Sequence, residues 1–269
     1  MRQFGPADAP ALVLLHGWTV TADLNWFTAY QALAEHYHVV AIDHRGHGRG
    51  IRSRAPFRLE DCADDAVAAA DALGIDTFTP VGYSMGGPIA LETFRRHRHR
   101  VRGLVLCATF ANVAITPRGR NRLRALGLLG RGLTAVPGGI RQAGFEQLLA
   151  QQTADRDLGD WVIDEIRSCD PRLLLLAGGE IGRFDARPWL AEIDVPTSVM
   201  VMNRDTVVPP RRQYELAGAI PGARRWELDA DHDVCVMGHQ LFLPSFLDAC
   251  AHACVEAASG DETFLYSPP

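Results

Sequence analysis

Six short apolar runs alternate along this chain with segments of helical period. The runs are Ala11–Leu15, His38–Asp43, Phe78–Tyr83, Gly103–Ala108, Thr197–Asn203 and Arg224–Leu228. The helical segments are Ala22–His36, Asp61–Leu73, Pro88–His97, Arg211–Ala219 and His239–Ala257. Strands that alternate with helices build βαβ units, so this order predicts a parallel sheet covered by helices on both faces. A strand buried on both faces is apolar nearly throughout, and these runs are. In such a sheet, sites collect at the carboxyl ends of the strands. A length of 269 residues suits one large α/β domain, or one domain with an insertion.

The rhythm breaks between positions 111 and 185. Helix-like pieces recur there at Arg120–Leu129, Phe145–Gln152, Trp161–Ser168 and Arg172–Ala177, punctuated by Pro137-Gly138-Gly139 and Gly178-Gly179. This predicts a helical cap at 111–185, inserted into a core formed by 1–110 and 186–269. Five arginines crowd its first part: Arg118, Arg120, Arg122, Arg124 and Arg131. A solvated helix face is the ordinary reading of such a run, and contact with an anionic substrate or a membrane surface is the functional one. The tail Ser259–Pro269 is polar and ends in two prolines, a composition that frays.

Composition removes several mechanisms. The 27 basic residues are all arginine. Without lysine there is no Schiff base, no pyridoxal phosphate anchor, no Walker A lysine and no Ser-Lys dyad. A net charge of −5 lacks the basic footprint of a nucleic-acid binder. Cys62, Cys107, Cys169, Cys235, Cys250 and Cys254 show no framework spacing and read as free, mostly buried thiols. Cys250, His252 and Cys254 look metal-like, but the histidine would point away from the cysteines on a helix and no second ligand pair is near, so no metal is expected. Met1 to Pro10 holds no apolar leader core, and no apolar run is long enough to span a membrane. The expected location is cytoplasmic.

The most specific local signal is Gly82-Tyr83-Ser84-Met85-Gly86, between the run ending at Tyr83 and the helix beginning near Pro88. A serine between glycines at a strand-to-helix turn is a nucleophile elbow. The tight turn lifts the hydroxyl above the strand end, and glycines at its flanks avoid collisions that a Cβ would bring. The Met85 amide, near a helix N-terminus, is left free to donate to a developing oxyanion.

Four pieces then fall in one order: His16-Gly17-Trp18 after a strand, Asp43-His44-Arg45-Gly46-His47-Gly48 after the next, the elbow, and Asp205 with His232 beyond the cap. In these pieces the chain resembles the α/β-hydrolase superfamily over nearly its whole length. The resemblance implies a mostly parallel sheet with a helical cap and a nucleophile, acid and base in the order Ser84, Asp205, His232. It implies backbone N–H donors at Trp18 and Met85 for the oxyanion, and no cofactor. Imidazole can take and return the serine proton near neutrality, and a carboxylate fixes its tautomer. Asp229, Asp231 and Asp233 are rival acids but sit too close to His232 in sequence to reach its ring well. His239 is a rival base at a helix start. His16 reads as scaffold, and Arg45 and His47 as a turn network around Asp43. The usual hairpin before the first strand is absent or reduced to about one strand.

The resemblance implies hydrolysis of carboxylic esters through an acyl-enzyme, with a small or medium, mostly apolar substrate near Trp18 and Asn25, in a monomer or homodimer. Carbon–carbon hydrolases share such a triad and carry an asparagine loop like Asn25-Trp26, but they typically place a tryptophan soon after the histidine, where this chain has Asp233-Val234-Cys235. Lactonase and perhydrolase chemistry remain open, and a non-catalytic ligand-binding protein is the reading from another class. Epoxide hydrolases and haloalkane dehalogenases are disfavoured because they carry aspartate where Ser84 stands.

Overall fold

The computed structural model describes residues 1–113, 117–153 and 159–254. Its strands are β1 (Arg2–Phe4), β2 (Ala11–Leu15), β3 (His38–Ile42), β4 (Thr79–Tyr83), β5 (Leu104–Cys107), β6 (Thr197–Met202) and β7 (Arg224–Leu228). They lie in the order β1-β3-β2-β4-β5-β6-β7. Every neighbouring pair is parallel except β1 with β3. β1 is the one strand before β2, where the hairpin was expected to be absent or reduced to about one strand, and it lies at one edge of the sheet.

The helices among the described residues begin with α1 (Ala22–Trp26), α2 (Tyr30–Ala34), α3 (Leu59–Ala72), α4 (Gly86–Arg96), α5 (Pro117–Gly132), α6 (Gly138–Thr153), α7 (Gly159–Arg167), α8 (Pro171–Ile181), α9 (Pro210–Ala219) and α10 (Val234–Met237). The last, α11 (His239–Ala253), closes the described chain. The end of the helix expected to Ala257 and the tail Ser259–Pro269 lie outside the described residues, as do 114–116 and 154–158 of the expected cap.

Strands β2 to β6 bury every residue. Alternate side chains feed two cores. Val13 and Leu15 pack with Ala63, Ala66 and Ile89 of α3 and α4. Leu12 and Leu14 pack with Trp26, Phe242 and Phe246. Each buried Val, Leu or Ile side chain among them stabilises the fold by about 1.5–3 kcal/mol through burial. The apolar runs were long because both faces are covered.

Two local expectations are corrected. The helix expected over Ala22–His36 is two short helices. Ala29 N–H donates to Trp26 O at 2.8 Å, and the Thr28 hydroxyl donates to Cys235 O at 2.7 Å. A threonine hydroxyl that finds a partner off the helix competes with its continuation. Gly178-Gly179 lies inside α8 rather than ending a helix. A Cβ on Gly179 would stand 2.7 Å from Gly127 Cα of α5. These glycines let the two cap helices touch at the backbone, a role that local propensity cannot express. Helices α5 to α8 form the cap region between β5 and β6. Among the described residues, no helix is long and apolar enough to cross a membrane.

Candidate active site

The turn from β4 to α4 is strained at its serine. Ser84 has φ 52°, in the left-handed region, a conformation costing about 1–3 kcal/mol for a residue with a Cβ. The surroundings impose it. Ser84 N–H donates to Cys107 O at 2.9 Å, and Ser84 O accepts the Thr109 hydroxyl at 2.7 Å and Gly87 N–H at 3.0 Å. A Cβ on Gly82 would lie 2.3 Å from Gly86 O, and one on Gly86 would lie 2.0 Å from Leu15 O. Neither position can carry a side chain unless the backbone moves.

His232, four residues past β7, brings Nε2 to 3.0 Å from Ser84 Oγ. Its Nδ1 lies 2.7 Å from Asp205 Oδ2. A carboxylate only accepts, so Nδ1 carries the hydrogen and Nε2 offers its lone pair to the serine hydroxyl. The Asp205 side chain is fully buried. Its Oδ1 accepts Val207 N–H at 2.8 Å and Val208 N–H at 2.7 Å, and its Oδ2 also accepts Gln213 Nε2 at 2.9 Å. The Tyr83 hydroxyl holds His232 by its carbonyl at 2.6 Å. The rival residues do other things. Asp231 Oδ1 accepts His232 N–H at 2.7 Å, Asp229 pairs with Arg204 at 3.1 Å, and His239 Nδ1 lies 3.4 Å from Val236 O.

The loop after β2 runs beside the serine. A Cβ on Gly17 would lie 3.5 Å from Ser84 Cβ. Met85 follows Ser84 as the N-cap of α4, where N–H groups are unsatisfied by the helix. Trp18 spans core and cap: its Nε1 donates to Leu174 O at 2.9 Å, and its ring lies 2.8 Å from where a Gly178 Cβ would stand. Asn25 is buried, with Oδ1 accepting Gly17 N–H at 2.8 Å and Nδ2 reaching Cys235 Sγ at 3.7 Å. Burial pushes the Cys235 thiol up to about 12, so it faces Asn25 neutral. The Asn25 amide is thus turned to the protein and shapes the loop.

His16 donates from Nδ1 to Gly17 O at 2.7 Å and accepts His44 N–H at Nε2 at 3.0 Å, a scaffold role. Asp43 accepts Ala22 N–H at 2.8 Å and Arg49 N–H at 2.9 Å. Arg45 joins that turn through its carbonyl, which accepts His47 Nδ1–H at 3.1 Å, while its guanidinium turns away. It pairs with Asp65 at 2.6 Å and Asp61 at 3.2 Å on α3, because the fork fits two helix carboxylates one turn apart. Cys254 reaches Thr79 Oγ1 at 3.6 Å and His252 Nδ1 lies 3.0 Å from Ser198 Oγ. Among the described residues, no group of three or more His, Cys, Asp or Glu is placed to hold a metal ion.

Sequence reasoning missed three supports. Gln213, on α9, ties Asp205, Val208 O and Met202 N–H together while fully buried. Thr109 braces the elbow. Glu165 of α7 bonds the Thr21 hydroxyl and lies 3.1 Å from Arg49, latching cap to core. No local pattern marks any of them, since each works through partners distant in sequence or on another element.

A strained serine on a strand-to-helix turn meets an imidazole at its hydroxyl and a buried carboxylate behind it, on a doubly covered sheet. Residues 10–130 match the family model of the alpha/beta hydrolase fold. The pimeloyl-(acyl-carrier protein) methyl ester esterase of Neisseria meningitidis serogroup A is 32% identical over 230 residues, covering 83% of this chain and 70% of that protein. A hydrolase from Pseudomonas aeruginosa PA01 has a structure of TM-score 0.73 at 27% identity, covering 92% of both chains. The enol-lactonase from Burkholderia xenovorans LB400 gives TM-score 0.72 at 25% identity over 93% of this chain and 95% of its own. The chain belongs to the α/β-hydrolase family.

Proposed function

We propose that this protein is a serine hydrolase that cleaves carboxylic esters. Ser84 attacks the carbonyl carbon while His232 Nε2 takes the hydroxyl proton, and Asp205 holds the imidazole and stabilises the imidazolium. The backbone N–H groups of Trp18 and Met85 donate to the oxyanion. His232 returns the proton to the leaving alcohol, an acyl-enzyme remains, and water activated by the same histidine releases the acid. The observation that supports this most is the unbroken chain from Asp205 Oδ2 to His232 at 2.7 Å and from His232 to Ser84 Oγ at 3.0 Å. The chemistry needs no metal or organic cofactor.

The site lies between a core of 1–110 and 186–269 and a cap of 111–185, with Trp18 as a wall. A small or medium, mostly apolar ester fits that reading, in a cytoplasmic monomer or homodimer. The likeness to an esterase acting on a methyl ester supports the ester bond. The likeness to an enol-lactonase supports a second reading, a lactone, which is an internal ester open to the same attack. The carbon–carbon reading keeps the same triad and Asn25, but Asp233-Val234-Cys235 still stands where those hydrolases typically place a tryptophan.

Nitrophenyl esters of graded acyl length test the proposal with wild type and Ser84→Ala. Turnover by wild type alone supports it, and the chain-length optimum sizes the pocket. A wild type inert on all esters and lactones, or a Ser84→Ala variant as active as wild type, overturns it.

A further inference from the structure

Two adjoining cavities, of about 260 and 420 Å³, open along the seam between cap and core. Both have Arg52, Arg141 and Asp170 in their walls. Arg167 and the α6 terminus at Gly138 complete the smaller, and Arg54 and Arg172 the larger. Ser84, Asp205, His232, Trp18 and Met85 line neither.

Among the described residues, four of these five arginines make no ion pair. Arg52 donates to Gly48 O at 2.6 Å and to Ser168 O. Arg141 donates to Leu133 O at 3.0 Å and Val136 O at 2.8 Å, while its Nε is buried without a partner. Arg172 is 4% exposed and donates to Ser53 O. Among the described residues, Arg52, Arg54, Arg141 and Arg172 make no ion pair, and Arg167 has only exposed Asp164 at 3.4 Å. This occurs in a chain of net charge −5, with acid to spare elsewhere. A buried guanidinium answered only by carbonyls keeps most of its desolvation cost. The one carboxylate in the walls, Asp170, spends Oδ1 on Arg172 N–H at 2.8 Å and Leu173 N–H at 3.3 Å. The N-termini of α6 and α8 add positive dipole ends to the smaller cavity.

We propose that this cleft is a second binding site, separate from Ser84, for a phosphate group on a soluble ligand. Several guanidinium forks around one recess match the several oxygens of a phosphate, two of which take the two parallel N–H bonds of one fork. A lone carboxylate would use one fork and leave the others unanswered. A phosphate held there bridges α6 and α8 of the cap to the Arg52–Arg54 loop of the core, so its binding stabilises that seam by mass action.

The test is calorimetric titration of the intact protein with inorganic pyrophosphate at fixed ionic strength. Variants are Arg54→Gln, Arg141→Gln and, as control, Arg122→Gln on the exposed face of α5. Saturable binding at one site is expected, weakened roughly tenfold by each cleft variant, the scale of one lost charge-assisted hydrogen bond, and unchanged in the control. Arg54 is exposed and, among the described residues, makes no internal bond, so Arg54→Gln reports on binding even where Arg141→Gln fails to fold. The proposal is overturned by absence of saturable binding, by equal weakening in all three variants, or by citrate binding as tightly as pyrophosphate. Adsorption to phosphatidic acid vesicles without pyrophosphate binding would also overturn it, by placing the phosphate on a lipid surface.

Discussion

The side-chain carbonyl of Asn25 accepts the backbone N–H of Gly17 at 2.8 Å, fixing the loop that runs beside Ser84. That loop carries Trp18, the proposed oxyanion donor. Asn25→Ala removes the tie without touching the serine or histidine. The expected loss is roughly 10- to 100-fold in kcat with little change in KM, because oxyanion contacts act mainly in the transition state. Steady-state kinetics on a short nitrophenyl ester separates the two constants. A rise in KM alone would place Asn25 in substrate binding instead.

Ser84→Ala and His232→Ala should each lower kcat at least roughly 10³-fold, and the double variant should lose no more than the worse single one, since the two act as a unit. Asp205→Asn should cost roughly 10⁴-fold by favouring the wrong imidazole tautomer. Losses that add across the pair would contradict a shared mechanism.

Gly86→Ala should destabilise by about 2–4 kcal/mol and abolish turnover, because its Cβ would stand 2.0 Å from Leu15 O and force the elbow to move. Gly74→Ala is the contrast. It has φ +68° but nothing within 4 Å of a Cβ, so it should cost only about 1 kcal/mol and spare activity. Urea unfolding and turnover, measured on both, check the distinction between strain at the site and strain elsewhere.

Three buried histidines give the fold an acid limit. Burial pushes His16 down to about 4 and His47 to about 3, and holds His44 well below its ordinary 6.5. The folded protein keeps them neutral, whereas the unfolded chain protonates below pH 6.5. The unfolded state therefore binds more protons between pH 6.5 and 4. This part of the stability is full above 6.5 and falls with pH, by about 1.4 kcal/mol per unit for each histidine. Urea midpoints measured from pH 7 to pH 4 should drop accordingly, and His47→Gln should make the drop shallower. A midpoint flat across that range would refute the account.

Local chemistry made much of this protein legible from its sequence. Apolar runs of strand length alternating with helical periods determined the parallel sheet, because a strand covered on both faces leaves no room for polar residues. Gly82, Ser84 and Gly86 determined the elbow, since glycine is the one residue that a backbone approach of about 2 Å admits. The order Ser84, Asp205, His232 came from the resemblance to the α/β-hydrolases, and a parallel sheet brings the strand ends that carry them to one side.

What only the tertiary structure decided lies between elements. Gly178-Gly179 reads locally as a break, yet contact with Gly127 of α5 keeps it inside a helix. The Arg45 guanidinium reaches the α3 carboxylates while its carbonyl stays in the turn. Gln213, Glu165 and the arginine cleft have no sequence signature, because each is defined by groups from segments that meet only on folding. Propensity and periodicity act over a few residues. Hydrogen-bond partners and unanswered charges are set by which surfaces the packed sheet and cap bring together.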